Sequence, residues 1–136
     1  MTIALCHGTF DILHPGHLAL FDAARRMARL LVITITADEF VEKGAGRPVF
    51  ADFERLQMLK PYGNIVELVK SRTALQAIEK FKPDFFVKGG DYQHSDKLGN
   101  LTAEIAAVKE HGGQFIMVPH TGHSTTQIIE RIRGIS

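Results

Sequence analysis

Two common phosphate-binding signatures are missing from this chain. There is no G-x-x-x-x-G-K-[ST] run, and Gly44-Ala45-Gly46 lacks the third glycine of a dinucleotide fingerprint and opens no evident helix. Neither a P-loop nor a dinucleotide-binding Rossmann arrangement is expected. Cysteine is scarce too: Cys6 stands alone in an apolar run that reads as a buried strand, so no disulfide can form within the chain and no oxidising compartment is implied. No apolar run approaches the roughly 20 residues of a membrane span, and the opening MTIALCH has no basic region leading into a long apolar segment. A cytoplasmic protein that does not enter a membrane is the expectation. Charge of one sign is absent as well, since 16 basic and 15 acidic residues leave a formal net charge of +1. Bulk electrostatics then offers no reason to bind nucleic acid, and any anion site must be local. Repeats, low-complexity tracts and Pro/Ser linkers are lacking.

What is present at 136 residues fits one domain, residues 1–136, with an apolar fraction of 45%. Five short runs rich in apolar and β-branched residues read as strands: TIALC (2–6), LLVITI (30–35), NIVELV (64–69), DFFVK (84–88) and QFIMVP (114–119). Helical periods lie between them, from about Pro15 to Met27 with Leu18, Phe21 and Ala24 on one side, then near 51–60, 73–81 and 101–111, and finally from about Ser124 to Arg133. Continuous rather than alternating apolar runs suit strands covered on both faces. The expected fold is α/β, a doubly wound five-stranded parallel sheet with right-handed crossovers. The polar segment 37–52, with two glycines and a proline after a strand end, is the expected mobile ligand loop.

Seven histidines are spread over the chain, and three of them fall within HGTFDILHPGH (7–17) at the first strand-to-helix turn. Pro15 suits the first helical position, which puts His14 at the cap and His17 one turn later. Gly16 leaves the helix start bare, so a ligand can lie against backbone N–H groups at the positive end of the helix dipole. Two imidazoles beside those amides form a socket for phosphate oxygens. At the other end of the chain HSTTQII predicts Ser124 as a cap, with Gln127 three residues on and Thr125 and Thr126 placing hydroxyls in the first turn. Two such helix starts can grip a polyphosphate from opposite sides. Taken singly, a His-x-x-His pair is more often structural, Ser-Thr-Thr is ordinary capping, and KGGDY (88–92) reads as a turn. Zinc would require further ligands, and no cluster supplies them. Because all three features fall where strands end and helices begin, they are expected to converge on one edge of the sheet.

The stretch GTFDILHPGH resembles the GTFD and H-x-G-H signature of the cytidylyltransferase-like nucleotidyltransferases, and STTQII resembles their closing ISTTxI motif. The first 55 residues, with ADEF and Arg55, look like glycerol-3-phosphate cytidylyltransferase; VKGGDY and GGQFIMVPHTGHSTTQII look more like the adenylyltransferase domain of ADP-heptose synthase. The resemblance implies a Rossmann-like domain. Its activity would be transfer of a nucleotidyl group from ATP or CTP, with Mg²⁺, to a phosphorylated sugar or polyol, releasing pyrophosphate. The preferred product is an ADP-sugar and the alternative a CDP-polyol. A non-catalytic nucleotide-binding module and relatives acting on nicotinamide mononucleotide, phosphopantetheine or FMN are the other readings. Carried over residue by residue, Thr9 and Phe10 border the phosphates, after a turn expected at Gly8. His14 and His17 bond the α-phosphate and bridging oxygens, Lys43 supplies a cation, and Ser124, Thr125 and Thr126 hold the outer phosphates. Lys88, Gly89, Gly90 and Asp91 are expected at the base and ribose, and Asp11, Asp38, Arg47 and Arg55 on the acceptor side. Many cytidylyltransferases carry an arginine before the last helix, where this chain has His120-Thr121-Gly122-His123. Its work then falls to a titrating ring such as His120 or moves elsewhere, for instance to Arg47. The resemblance also implies a homodimer and, at this length, a transferase without a kinase domain. His7 precedes the signature and either ends the strand or touches ligand.

Overall fold

The computed structural model describes residues 1–90, 99–119 and 121–135. Strand β1 (Ile3–Gly8) leads into helix α1 (Pro15–Met27), followed by β2 (Leu30–Thr36), a 3-10 turn (Asp38–Phe40), α2 (Asp52–Leu59) and β3 (Ile65–Val69). The second half adds α3 (Leu75–Phe81), β4 (Phe85–Gly89), α4 (Asn100–Glu110), β5 (Gln114–Val118) and α5 (Thr125–Ile135). All pairings are parallel and the strand order is β3-β2-β1-β4-β5. The sheet is therefore the expected five-stranded doubly wound one. Sequence-adjacent strands run outward from β1 to β3, then the chain returns to the other side of β1, and the crevice at that reversal is where such folds receive ligands.

β2 shows why its run is continuously apolar. Leu31, Ile33 and Ile35 pack with Cys6, Phe21, Leu59 and Val87 on the face covered by α1 and α2, while Val32 packs with Leu5, Ile78, Phe86, Leu101 and Val108 on the face covered by α3 and α4. One strand serves two cores, so all of β2 beyond Leu30 is buried, and its two polar residues, Thr34 and Thr36, are threonines rather than charged residues. Burial of Cys6 pushes its thiol up to about 12, which leaves it unreactive at neutral pH.

Two local expectations need correction. The inward stripe of α1 is Leu20, Phe21 and Ala24, whereas Leu18 is 39% exposed. His17 shares the stripe at i, i+3, i+4 and i+7 spacing, which places its ring over the sheet edge. The turn after β1 is made at Phe10, whose φ is +50°, and not at Gly8. Phe10 holds this left-handed conformation because its ring is buried against Phe21 and Gly8 has no side chain to obstruct it, a Cβ there lying 3.1 Å from Cζ.

Candidate active site

At the carboxyl ends of β1 and β4 a cavity of about 350 Å³ opens between the N-termini of α1 and α5. Its floor is laid by α1. His14 is the N-cap, and its Nδ1 accepts from the Gly16 amide at 3.0 Å; His17 Nδ1 accepts from the His14 amide at 3.3 Å. A ring nitrogen that accepts carries no proton, so both imidazoles are neutral in this arrangement and each keeps its proton on Nε2. The rings stack at 3.7 Å between centroids, and Phe10 meets His17 edge-on at 5.3 Å. Burial, then the neighbouring His14 and Lys43, lowers the His17 pKa to about 4. The result is a pair of oriented neutral donors beside bare helix amides.

Gly16 has a second reason to be glycine. A Cβ there would lie 2.8 Å from His14 Cε1 and 2.9 Å from Thr121 Oγ1. Alanine is the better helix former by about 1 kcal/mol, yet Gly16→Ala is expected to lower turnover by about 10²-fold by displacing the His14 ring. Pyrophosphate release measured beside a melting curve checks this: loss of the His14 cap offsets the helix gain, so a large loss of rate with a Tm little changed or slightly lowered is the expected pair.

The opposite wall is α5. Ser124 caps it, accepting from the Gln127 amide at 3.1 Å. The Thr125 hydroxyl donates to the Ile12 carbonyl at 3.1 Å, so its proton ties α5 to the loop before α1. Thr126 Oγ1 accepts from Arg47 at 3.3 Å and so retains its own proton to donate. Thr125 is thus a brace and Thr126 a donor, a division the run of hydroxyls alone does not disclose.

Of the residues singled out from sequence, Thr9, Phe10, Asp11, His14, Gly16, His17, Lys43, Arg47, Lys88, Gly89, Gly90, Ser124, Thr125 and Thr126 all line this cavity. Asp91 and His120 lie outside the described residues. Asp38 and Arg55 do not reach it. Arg55 is fully buried, donating to the carbonyls of Phe50 (3.0 Å), Thr9 (2.7 Å) and Thr36 (2.9 Å) and to Asp38 Oδ1 (2.7 Å). The expected acceptor ligand is instead a clamp that joins α2 to the ends of β1 and β2, and Asp38 is its counter-charge. Asp11 is 2% exposed, and its carboxylate accepts from the amides of Val49 (2.8 Å) and Phe50 (3.0 Å). The segment expected as a mobile ligand loop is thereby stapled to the sheet edge at Val49 and Phe50.

Two further histidines belong to the cavity. His123 stacks on His14 at 6.2 Å and bonds Thr121 Oγ1 at 3.1 Å. Its place one residue before the capping serine was the available signal. His7 resolves as a cavity residue that also ends its strand: Nδ1 meets Thr34 Oγ1 at 2.9 Å and Nε2 meets Thr36 Oγ1 at 3.5 Å. Burial and the charge of Lys88 lower its pKa to about 4, against a smaller opposing bond to the Arg72 backbone. His7 and His17 are both more acidic folded than in an unfolded chain, so each contributes stability that is complete above pH 6.5 and is lost as pH falls toward 4. The Tm is expected to drop across that window, and His7→Gln is expected to flatten the drop in a pH series of melts.

Among the described residues no group of three or more His, Cys, Asp or Glu side chains is placed to hold a metal ion, and no helix is long and apolar enough to cross a membrane.

The model of the family described as cytidylyltransferase-like matches residues 5–131. Among curated proteins, the bifunctional protein HldE of Koribacter versatilis is 39% identical over 95% of this chain and 26% of its own length. HldE of Streptomyces coelicolor is 35% identical over 96% of this chain and 28% of its own length. The chain thus spans about a quarter of the curated relatives it matches. A solved lipopolysaccharide core biosynthesis protein from Thermoplasma volcanium superposes with a TM-score of 0.68 at 19% identity, covering 91% of this chain and 99% of that one. TmcAL of Thermotoga maritima superposes at 0.71 with 14% identity, covering 99% of this chain and 51% of that one. At these identities the structural likeness speaks to the fold.

Proposed function

The chain belongs to the cytidylyltransferase-like family, and on that premise we propose that it transfers a nucleotidyl group from ATP or CTP to a phosphorylated sugar or polyol, releasing pyrophosphate. The observation that carries the reading is the pair of neutral imidazoles, each oriented by a backbone amide, facing the hydroxyl-bearing start of α5 across one cavity. No side chain needs to become covalently attached. The acceptor's phosphate oxygen attacks the α-phosphorus in line, the new P–O bond forms as the bond to the bridging oxygen breaks, and pyrophosphate leaves with the electron pair. Nε2–H of His14 and His17 meets charge growing on the α-phosphate and bridging oxygens. The amides of α5 and the Thr126 hydroxyl hold the outer phosphates, and Lys43 adds a cation on the His17 side. Catalysis is then positioning plus electrostatic stabilisation.

Mg²⁺ belongs to the proposal as an ion carried by the triphosphate. The Asp11 oxygens are already occupied by amides and the remaining donors are imidazoles, a set that suits phosphate-borne Mg²⁺ better than a protein cage. When bound it would neutralise charge on the phosphate oxygens.

The sugar-phosphate adenylyltransferase reading is preferred because HldE proteins align over nearly the whole chain, in agreement with the VKGGDY and GHSTTQII segments. A CDP-polyol product is the alternative, favoured by the GTFD and ADEF segments of the first half. A homodimer is carried over from the resemblance, and a cytoplasmic location from the sequence expectation above. The test incubates the protein with Mg²⁺, each of four nucleoside triphosphates and a panel of sugar, polyol and cofactor phosphates, scoring pyrophosphate. Release with ATP and one sugar-phosphate class is expected. Tight nucleotide binding without release across the panel would make it a binding module.

A further inference from the structure

Arg47 is a largely buried cation held loosely. Its side chain is nine-tenths buried, yet among the described residues its carboxylate contact, Nε to Asp11 Oδ2, is single and long at 3.3 Å, and its bond to Thr126 is equally long. Asp11 does not depend on it, since two loop amides at 2.8 and 3.0 Å already meet both carboxylate oxygens. A guanidinium has five N–H donors in a rigid fork, and these bonds engage two of them. No buried side-chain nitrogen among the described residues is without a hydrogen-bond partner, so the donors of Arg47 that protein atoms do not engage open to the cavity, which Arg47 lines beside Thr126 and Lys43. A long, single carboxylate contact leaves the fork able to take a second anion there.

We propose that Arg47 is the cation that grips the outer phosphates of the triphosphate, and that Asp11 is the residue that positions it. This rests on the nucleotidyl-transfer reading and moves Arg47 from the acceptor side to the pyrophosphate side. The contact with Thr126 decides the side, because Thr126 lies in the first turn of α5. The fork then bridges two of the anion's oxygens, a geometry a lysine cannot reproduce. Asp11 fixes the backbone at Val49 and Phe50 and holds Nε, so the two terminal nitrogens are directed as a unit. The arginine absent before the last helix is replaced from the loop.

Calorimetry with inorganic pyrophosphate and Mg²⁺ tests this without turnover. Arg47→Ala is expected to weaken pyrophosphate binding roughly 10- to 100-fold, the usual worth of a charge-assisted contact, and Arg47→Lys is expected to recover part of it. In steady state the triphosphate's kcat/KM should fall while the acceptor's KM stays within about twofold, and added guanidinium should restore rate to Arg47→Ala but not to His17→Ala. Asp11→Asn should weaken pyrophosphate binding in the native background and add little in Arg47→Ala, the non-additivity expected of one residue acting through another. Pyrophosphate binding by Arg47→Ala at native strength, or a loss confined to the acceptor's KM, would overturn the assignment; full additivity would remove Asp11 from it. Native binding of pyrophosphate with no turnover on any acceptor would instead count against the nucleotidyl-transfer reading and leave Arg47 in place.

Discussion

Replacing His17 by alanine is expected to lower kcat by about 10²- to 10³-fold while changing triphosphate affinity much less, the behaviour of a donor whose bond strengthens as charge moves in the transition state. Several features combine at this ring. Its Nδ1 is committed to the His14 amide, which fixes the proton on Nε2. Burial and the neighbouring His14 and Lys43 hold its pKa at about 4, so it stays neutral through the physiological range. Phe10 and His14 fix its plane from the edge and the face. A neutral, oriented donor adds little to the ground-state grip on a triphosphate, compared with lysine or arginine. Its contribution appears when negative charge develops on the bridging oxygen. Rapid-mix or steady-state pyrophosphate release, with nucleotide affinity measured separately, checks the split. Native turnover in His17→Ala would remove the ring from the chemistry.

The largest expected effect on stability comes from Arg55→Ala, about 3–4 kcal/mol, the order expected when a fully buried side chain is lost together with its donors to three carbonyls, while its half-exposed partner Asp38 is rehydrated. Four hydrogen bonds disappear together, leaving the buried carbonyl of Thr36 and the part-buried carbonyls of Thr9 and Phe50 without that donor. For a chain of this size the Tm should fall by roughly 10–20 °C. Arg55→Lys keeps the charge but cannot reach three carbonyls and a carboxylate from one nitrogen, and it should recover only part of the loss. Thermal melts of the two variants decide the matter. A melt within about 2 °C of the native protein, with a raised KM for the acceptor, would return Arg55 to the substrate side.

The contrast between these residues shows what a linear sequence can disclose. Pro15 and the His14-x-x-His17 spacing are local, and so is Ser124 before its helix; caps and helix starts are set within four residues, so the two helix starts that wall the cavity were legible. The five strands were legible because a strand buried on both faces, such as β2, carries a run of apolar and β-branched residues with no charge in it. Arg55 was not, because its partners Thr9, Thr36 and Phe50 meet it through the tertiary arrangement of β1, β2 and α2. An arginine bound to carbonyls looks the same in sequence as one bound to a phosphate. The bonds of Asp11 were hidden for the same reason, its amide partners lying 38 and 39 residues on. Leu18 and Leu20 differ by 200° around α1, and only the position of the sheet chooses between them. His123 could have been found, had the residue before the capping serine been weighed with the serine itself.

A cavity that joins a nucleotidyl group to a phosphorylated acceptor leaves a signature in phosphorus NMR of the protein with Mg²⁺, ATP and a sugar phosphate. Pyrophosphate is expected in equal amount with a pair of coupled resonances from a new diphosphate linkage between nucleoside and sugar. Unchanged ATP at concentrations where nucleotide is bound, across the sugar, polyol and cofactor phosphates and with CTP in place of ATP, would contradict it.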